Sequence, residues 1–251
     1  MAGPGRAGKG IWGGWQVVAH RCGGALAPEN SLAGLRMAAD RGLATVEFDV
    51  MLSADGMPML IHDETLDRTT AGHGPVAKMT AAGLAAMPNN AGWGSCFSGE
   101  RIPTLGNALA DCLRLGLAPN IEVKPAAGVD RATGIATAHT AALAWAGSGS
   151  ELPLLSSFSE VALAAAREVL PNWPAALLVE ECPPDWRDRL RRLGVASLHC
   201  QRQQASWDWL EEASAAGVAV RCYTVNEPEE AFRLRERGVV GVFSDRIDRV
   251  R

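Results

Sequence analysis

The 251-residue chain is predicted to be an α/β protein built on an irregular (β/α)8 barrel, the TIM barrel. Short apolar runs alternate with amphipathic helical patterns along the chain, and this alternation is typical of parallel α/β folds. No G-x-G-x-x-G turn follows the first strand, which argues against an open doubly wound sheet. Polar residues stand at the carboxyl ends of many strand candidates, for example His199 and Asn226. This is expected of a barrel that carries its active site at the carboxyl ends of the strands.

The strand candidates are apolar runs bounded by turn-forming residues. In chain order they span residues 16–20, 45–50, 58–62, 120–124, 153–158, 175–179, 196–199, 218–225 and 239–244. Nine candidates are one more than a regular barrel holds, so some irregularity is expected.

The helix candidates lie between most of these strands and show an apolar stripe at helical spacing. They span residues 31–41, 105–115, 131–146, 160–170, 186–193, 207–216 and 229–237. Several end at a glycine, as helix C-caps predict. We expect residues 1–15 to be a flexible N-terminal segment and residues 16–251 to form one barrel domain.

The composition limits the classes of function. Hydrophobic residues make up 47 % and charged residues 21 % of the chain, so it can bury a full core. The net charge of -4 gives no electrostatic reason to expect a nucleic-acid partner. No apolar run approaches the roughly 18 residues of a membrane span, and no apolar signal-peptide core is seen. Six cysteines without a CxxC pair suggest reduced thiols, so we expect a cytoplasmic protein.

The dipeptide Asp55-Gly56 predicts a two-residue hairpin between the second and third strand candidates. Cross-strand partners in such a hairpin have residue numbers that add up to 111, which sets Asp49 opposite His62 with Glu47 on the same face. A hairpin conflicts with an all-parallel barrel, and the sequence leaves open how the two are combined.

Three carboxylates are candidates for a metal site. Glu47 and Asp49 lie in V-E-F-D-V, and Glu122 lies in I-E-V-K with Lys124 on the same face. A solvent-facing strand is the alternative interpretation, although both faces of a parallel barrel strand are normally covered. Buried carboxylates repel one another, and a hard divalent cation removes that repulsion. Oxygen ligands favour one Mg2+ or Ca2+ ion, with Mn2+ as a third option.

Two histidines follow strand candidates near these acids. His20 ends V-V-A-H and His62 ends M-L-I-H. A lone histidine at a strand end is more often structural, but a pair beside an acidic cluster can act as general base and general acid. Arg21 and Lys124 supply a bidentate fork and a point charge for a phosphate group.

The motifs in combination resemble those of the glycerophosphodiester phosphodiesterase family. They are A-H-R-C-G-G-A-L-A-P-E-N-S, V-E-F-D-V-M-L-S-A-D-G-M-P-M-L-I-H-D, N-I-E-V-K-P, L-L-S-S-F, Y-T-V-N-E-P and F-S-D-R-I-D, in that order. The resemblance covers roughly residues 16 to 250 and is strongest to cytosolic bacterial enzymes that accompany glycerol-3-phosphate uptake. It implies an irregular TIM barrel of the phospholipase C-like phosphodiesterase type and metal-dependent hydrolysis of glycerophosphodiesters to sn-glycerol 3-phosphate and an alcohol.

The resemblance also assigns roles to residues of this chain. The catalytic pair that it implies falls on His20 and His62, and the phosphate-binding cations fall on Arg21 and Lys124. The implied metal ligands fall on Glu47, Asp49 and Glu122. The P-E-N motif falls on residues 28–30, where Asn30 also has the character of a helix N-cap. One position departs from the family pattern H-R-G, because Cys22 stands where glycine is expected, and a positive φ there would strain the backbone.

Other functions remain open at this point. A phospholipase D-like enzyme acting on lysophospholipids or sphingomyelin would need an apolar entry, which Trp93 and Phe97 could line. A catalytically silent barrel that binds phosphate compounds would not need an acid–base pair. Isomerase or aldolase chemistry through Lys124 would be poorly served by a neighbouring metal cluster. The expected partner is a small glycerophosphodiester, and a homodimer is left open.

Overall fold

The computed structural model describes residues 10–251, in which nine strands and eight helices alternate. The strands are β1 (Gln16–Ala19), β2 (Thr45–Leu52), β3 (Pro58–Leu60), β4 (Ala118–Val123), β5 (Leu154–Ser157), β6 (Ala175–Val179), β7 (Ser197–Gln201), β8 (Ala219–Tyr223) and β9 (Gly241–Ser244). The helices are α1 (Leu32–Asp40), α2 (Ala81–Ala86), α3 (Leu105–Leu115), α4 (Asp130–Trp145), α5 (Glu160–Val169), α6 (Trp186–Leu193), α7 (Trp207–Ala215) and α8 (Pro228–Glu236). The seven predicted helices agree with these bounds to within one residue at each end.

Eight of the described strands form a closed parallel barrel. β1 pairs in parallel with β9 along its whole length and with β2 at Ala19↔Val46, so the first and last strands share one continuous sheet. The remaining barrel strands follow in the order β9-β8-β7-β6-β5-β4-β2. The predicted (β/α)8 barrel is confirmed, and the open doubly wound sheet is excluded by the β1–β2 pairing.

The ninth strand accounts for the conflict between hairpin and barrel. β3 pairs antiparallel with β2 and lies outside the parallel ring, at the sheet's end. Its partners are Val50↔Leu60 and Met51↔Met59, whose residue numbers add up to 110. The predicted register of 111 was therefore wrong by one residue.

The turn between β2 and β3 explains this shift. The amide of Gly56 donates to the Ser53 carbonyl (3.0 Å), and the amide of Ser53 donates to the Met57 carbonyl (3.0 Å). Gly56 has a φ of 79°. This is a three-residue loop in which the glycine follows the turn as a bulge residue, rather than a two-residue turn centred on Asp55 and Gly56.

The apolar residues form three clusters. The largest lies between the barrel and its helices and includes Leu35, Phe48 and Leu109. A second fills the barrel's amino-terminal interior around Trp12, Val18, Ala118, Leu154, Ala176 and Phe243. A third belongs to the excursion at residues 53–104, between β2 and α3, and includes Met51, Met59, Ile61, Leu66, Val76, Leu84 and Ile102. The excursion therefore has a small core of its own.

The predicted boundary at residue 16 needs correction within the described range. Ile11–Gly13 forms a 3-10 turn, and Trp12 is only 8 % exposed. Its indole N–H donates to the carbonyl of Leu152 at 2.9 Å. Burial of this indole anchors the turn to the barrel, so residues 11–13 belong to the domain. The flexible segment predicted for residues 1–9 lies outside the described residues.

Two expectations from composition can be compared with the structure. None of the helices within residues 10–251 is long and apolar enough to cross a bilayer. All six cysteines are free thiols, as predicted. The cytoplasmic location and a homodimer stay predictions.

Substitution of Gly56 by alanine should destabilise the fold, because a Cβ disfavours the positive φ of the bulge even though no atom lies within 4 Å of its position. We expect a loss of about 1 kcal/mol in the free energy of unfolding, measured by urea denaturation. Gly99→Ala is the matched control, since its surroundings are equally open and its φ is not positive. An equal loss in both variants would contradict the proposed turn.

Candidate active site

All seven predicted site residues line one cavity at the carboxyl end of the barrel. The cavity has a volume of ≈ 430 Å3 and includes on its wall His20, Arg21, Glu47, Asp49, His62, Glu122 and Lys124. Barrel geometry is the reason, because parallel strands deliver the residues at their carboxyl ends to one rim. The structure thus brings together side chains that lie as many as 104 positions apart, from His20 to Lys124.

The three carboxylates are held by two neighbouring strands. β2 carries Glu47 and Asp49, and the register Asp49↔Glu122 places Glu122 of β4 directly beside Asp49. All three are buried, and each offers an oxygen within 4.8 Å of those of the other two. Among the described residues, the Oε1 atoms of Glu47 and Glu122 are buried without a hydrogen-bond partner. The strand alternation therefore points these acids into the barrel, and the solvent-facing interpretation is wrong.

The electrostatics of this cluster favour binding of a cation. Burial and the charges of its two neighbours raise the pKa of Glu47 well above its ordinary value. Burial, and then the charge of Asp49, raises the pKa of Glu122 to about 8. A divalent cation would remove this repulsion and satisfy the unpaired oxygens, so the donor set fits a hard ion such as Mg2+ or Ca2+.

Asp49 is the carboxylate whose negative charge is most fully compensated by neighbouring groups. Burial opposes its ionisation, but Lys124, His62, Arg21 and Asn30 outweigh burial and lower its pKa below the ordinary value. Lys124 Nζ lies 3.5 Å from Asp49 Oδ1, and Asn30 Nδ2 donates to Asp49 Oδ2 at 2.9 Å. Asp49 is therefore the permanent anion of the cluster.

Asn30 does not cap a helix. Its Oδ1 accepts from the backbone amide of Asp49 at 3.0 Å, so both ends of its side chain are bound to that residue. The N-cap of α1 is Ser31, whose hydroxyl accepts from the amide of Gly34. The predicted cap was one residue too early, because Asn30 is required at the carboxylate cluster.

Arg21 is part of a line of alternating charges. Its guanidinium donates to both carboxylate oxygens of Glu29, at 3.2 and 3.3 Å. Glu29 also accepts two bonds from Arg68, at 2.6 and 2.7 Å, and Arg68 donates to Asp63. The network runs from the excursion to the carboxylate cluster, since Arg21 Nε is 3.9 Å from Asp49 Oδ2.

Each histidine of the cavity is oriented by an aspartate. His20 Nδ1 lies 2.7 Å from Asp245 Oδ1, and His62 Nδ1 lies 2.6 Å from Asp63 Oδ1. In both rings Nε2 remains available to the cavity, and His20 Nε2 is 4.0 Å from Glu47. Burial, as the largest effect, lowers the pKa of His62 below its ordinary value.

The two aspartates differ in their electrostatic surroundings. Hydrogen bonds from Arg68 hold the pKa of Asp63 well below its usual range. Burial opposes ionisation of Asp245, but its bonds to His20 and Asn226 lower its pKa nonetheless. The Asp63 carboxylate accepts from the Arg68 guanidinium, whereas the Asp245 carboxylate contacts the His20 imidazole and accepts from the Asn226 side chain at 3.4 Å.

His62 lies beyond the end of the β2–β3 hairpin, not within it as predicted. β3 ends at Leu60, and the amide of Ile61 still donates to the Asp49 carbonyl at 3.1 Å. The chain then leaves the strand pairing, which allows His62 to line the cavity although it is not the cross-strand partner of Asp49. The spacing argument thus predicted the right neighbours from a wrong register.

His199 and Asn226 were expected at the carboxyl ends of strands. His199 instead lies inside β7, fully buried, with its ring 4.9 Å from that of Phe243. It does not line the catalytic cavity. Asn226 follows β8 and accepts from the amide of Asp245 at 2.8 Å, so it supports the His20 partner.

Sequence reasoning missed several residues that the structure places at the site. The unassigned polar residues with direct contacts are Asp63, Arg68 and Asp245, and the aromatic wall is formed by Phe158 and Tyr223. The Tyr223 hydroxyl donates a hydrogen bond to the Val179 carbonyl at 2.8 Å. The motifs H-D, L-L-S-S-F, Y-T-V-N-E-P and F-S-D-R-I-D contained four of these residues, but only the folded geometry gives them partners.

Cys22 occupies the strained conformation that the sequence suggested. Its φ is 76°, and it is fully buried against Gly34, where an added Cβ would lie 2.8 Å from the Cβ of Cys22. Its amide donates to the Glu47 carbonyl at 2.7 Å. Burial, as the largest cause, raises the pKa of the Cys22 thiol well above its ordinary value, so this cysteine is a packing residue.

A second cavity of ≈ 500 Å3 adjoins the first and shares His20, Arg21 and Thr224 with it. Trp93 of the excursion lines it, and its ring lies 5.2 Å from that of Phe97 in an edge-to-face arrangement. The two cavities therefore meet at these three residues.

A closed parallel barrel with this rim defines the class of barrel hydrolases that act on phosphoric diesters. The model of the glycerophosphoryl diester phosphodiesterase family matches residues 20–249, and the chain belongs to this family. A glycerophosphodiester phosphodiesterase of Caldanaerobacter subterraneus subsp. tengcongensis is 31 % identical over 230 residues, covering 91 % of this chain and 93 % of the relative.

Solved structures give the same result. An Oleispira antarctica phosphodiesterase, in complex with its product sn-glycerol-3-phosphate, has a TM-score of 0.89 at 35 % identity, covering 93 % of this chain and 94 % of the other. A glycerophosphodiester phosphodiesterase from Agrobacterium tumefaciens has a TM-score of 0.72 at 23 % identity, covering 93 % and 97 %, and shares the fold. The resemblance drawn from the motifs is confirmed for the family.

Removal of one charge from the cluster should stabilise the metal-free protein. A carboxyl whose pKa is raised to about 8 on folding costs stability as the pH rises from its unfolded value toward 8. In the presence of a chelator, Glu122→Gln should therefore equal wild type near pH 4. At pH 8 it should exceed wild type by on the order of 4 kcal/mol in urea denaturation, since one pKa unit corresponds to about 1.4 kcal/mol.

The same variant should lose the stabilisation that Mg2+ or Ca2+ gives to wild type, because a ligand of the ion is weakened. Glu168→Gln serves as control, since this exposed carboxylate pairs with Arg131 on the helical surface and should leave the melting temperature nearly unchanged. Equal stabilisation of Glu122→Gln and wild type by the ion would exclude Glu122 as a ligand.

Proposed function

We propose that the protein hydrolyses glycerophosphodiesters to sn-glycerol 3-phosphate and an alcohol, with His20 and His62 as the acid–base pair. The observation that carries this proposal is that both histidines line one cavity with the carboxylate cluster and with Arg21 and Lys124. Membership of the phosphodiesterase family supports it. The sn-glycerol-3-phosphate complex of the relative from Oleispira antarctica supports the product.

The cations hold the phosphate. Arg21 presents a planar fork beside the carboxylates, and Lys124 adds a point charge, so they suit two different oxygens of a phosphodiester. When bound by Glu47, Asp49 and Glu122, a divalent cation such as Mg2+ or Ca2+, or Mn2+, would supply further stabilisation of negative charge on the phosphoryl group.

The two histidines have different charge environments, and we assign them different roles. Burial lowers the pKa of His62, and Arg68 offsets the charge of its partner Asp63, so the His62 ring is neutral at pH 7 and acts as the base. Asp245 is a carboxylate without a guanidinium bound to it among the described residues, and it lies 2.7 Å from His20 Nδ1. His20 then donates the proton to the leaving alkoxide.

The nucleophile is either the glycerol 2-hydroxyl or a water molecule. Attack by the neighbouring hydroxyl gains from proximity and gives a cyclic phosphate that water then opens. Rapid-quench detection of cyclic glycerophosphate distinguishes the two routes.

The alternatives differ in what they require of the rim. A lysophospholipid needs an apolar channel, and the Trp93–Phe97 pair is the observation that favours one. A catalytically inactive barrel that only binds phosphate compounds would not need the two histidine–aspartate pairs. Lys124 lies 3.5 Å from Asp49, an ion pair that suits a phosphate ligand rather than a Schiff-base amine.

The function is tested by coupling release of glycerol 3-phosphate from glycerophosphocholine to its dehydrogenase. Release of choline, the product that both substrates share, is measured in parallel with glycerophosphocholine and with lysophosphatidylcholine. We expect turnover of glycerophosphocholine, its loss with a chelator and its return with Mg2+ or Ca2+. His20→Ala and His62→Ala should each lower kcat by about 10²–10⁴-fold, the usual contribution of a general acid or base.

His139→Ala is the matched control, because this exposed histidine lies on α4 and should leave kcat unchanged. Circular dichroism establishes that each variant is folded. Near-normal activity of either active-site variant would refute the assigned pair, and preference for lysophosphatidylcholine would favour the lipid substrate.

The roles of the histidines give a pH prediction. Arg68→Gln leaves the Asp63 charge without its guanidinium partner, so His62 should bind a proton more tightly and its pKa should rise. The base would then be protonated up to a higher pH, and the acid limb of kcat/KM should move to higher pH. Arg36→Gln is the control, because this arginine is equally exposed and pairs with Glu100. An unmoved acid limb in Arg68→Gln would show that His62 is not the base.

A further inference from the structure

A third cavity lies at the end of the barrel opposite to the catalytic rim. It has a volume of ≈ 400 Å3, and its wall includes the first residues of four successive strands, Leu154, Ala175, Ser197 and Ala219. Because these are amino ends of parallel strands, this basal cavity is separated from His20 and His62 by the barrel interior. The proposed phosphodiester chemistry makes no use of it.

Arg221 of β8 is the buried cation of the basal cavity. It is fully buried, yet among the described residues all its hydrogen-bond partners are neutral. It donates to Ser197 Oγ (3.2 Å), to Gln16 Oε1 (3.3 Å) and to the Trp12 carbonyl, while its Nε has no partner within residues 10–251. A buried guanidinium is normally paired with an anion, because desolvation of an unpaired charge costs several kcal/mol.

A second arginine lines the same cavity. Arg167 of α5 donates only long bonds, of 3.4 Å each, to the carbonyls of Trp173 and Pro171. Burial alone lowers the pKa of Arg167, and burial alone lowers that of Arg221 to about 10. Other arginines of the described chain, such as Arg68 and Arg131, have carboxylate partners instead.

The rest of the wall is apolar and aromatic. Trp12 and Trp173 contribute indole rings, and the Arg221 guanidinium is 5.4 Å from the centroid of the Trp12 ring. Glu151 is the carboxylate on the described wall, and it is an exposed side chain that accepts from the Ile11 amide at 3.4 Å. The two guanidinium groups therefore lack a buried counter-charge among the residues described.

We propose that the basal cavity is a second anion site, in which Arg167 binds a small phosphate-bearing compound directly and the buried charge of Arg221 attracts the same compound from behind the wall. The guanidinium fork of Arg167 matches the oxygens of a phosphate group, which arginine binds with two parallel N–H bonds. A phosphomonoester carries about -1.5 to -2 charges at pH 7, so one ligand balances both arginines. The cavity exceeds the size of inorganic phosphate, and its apolar wall leaves room for an organic group.

Isothermal titration of the full-length protein with inorganic phosphate and, separately, with sn-glycerol 3-phosphate tests this proposal. Wild type should show two binding events. Lys124→Ala should lose the event at the catalytic rim, and Arg167→Gln should weaken the other at least fivefold while kcat/KM stays within twofold of wild type. Tighter binding of sn-glycerol 3-phosphate than of phosphate at the basal cavity would identify an organic phosphomonoester as the ligand, and equal binding would identify free phosphate.

Arg131→Gln is the matched control, because it removes an exposed arginine that lies on the neighbouring helix α4 and pairs with Glu168 of α5. This variant should keep both events. Arg221→Gln, which removes the buried charge, should also weaken the basal event if circular dichroism shows a native fold. The proposal is overturned if Lys124→Ala binds no phosphate. It is also overturned if Arg167→Gln binds phosphate at the basal cavity as tightly as wild type does.

Discussion

Mutual repulsion among Glu47, Asp49 and Glu122 is the constraint on which the catalytic end of the barrel depends. The register of β2 and β4 forces two of them side by side, and closure of the barrel removes them from water. Each surrounding element compensates for this charge. Asn30 binds both the side chain and the backbone of Asp49, Lys124 and Arg21 supply positive charge, and the remaining unpaired oxygens define where a cation fits.

The same constraint explains the backbone strain in this region. Arg21, Cys22 and Asn30 all have positive φ, which costs a residue with a Cβ on the order of 1 kcal/mol. In return, the amide of Arg21 donates to Glu47 Oε2 at 2.8 Å and the amide of Cys22 to the Glu47 carbonyl. A glycine at position 34 leaves the space that the Cys22 side chain needs. Strain is stored where backbone donors must face a carboxylate.

The sequence was sufficient for the architecture and for predicting that the seven candidate side chains lie together, because strand periodicity, helix caps and motif order are local signals. It was insufficient where a single hydrogen bond decides the outcome. The Asp55-Gly56 dipeptide is compatible with two loop lengths, and the bond from Ser53 to Met57 selects the longer one. Asp245 is separated from His20 by 225 positions, so only closure of the barrel makes them partners. The Arg68 bonds to Glu29 and Asp63 likewise depend on how the excursion folds back.

The separate core of the excursion at residues 53–104 makes this segment a cooperative unit within the larger domain. Its few buried residues make it less resistant to local opening than the barrel, whose strands are held on both sides. Since it carries Asp63 and Arg68, each opening event would release the partner of His62 while the barrel stays intact. Local opening of the excursion is therefore expected to precede unfolding of the barrel that holds the carboxylates.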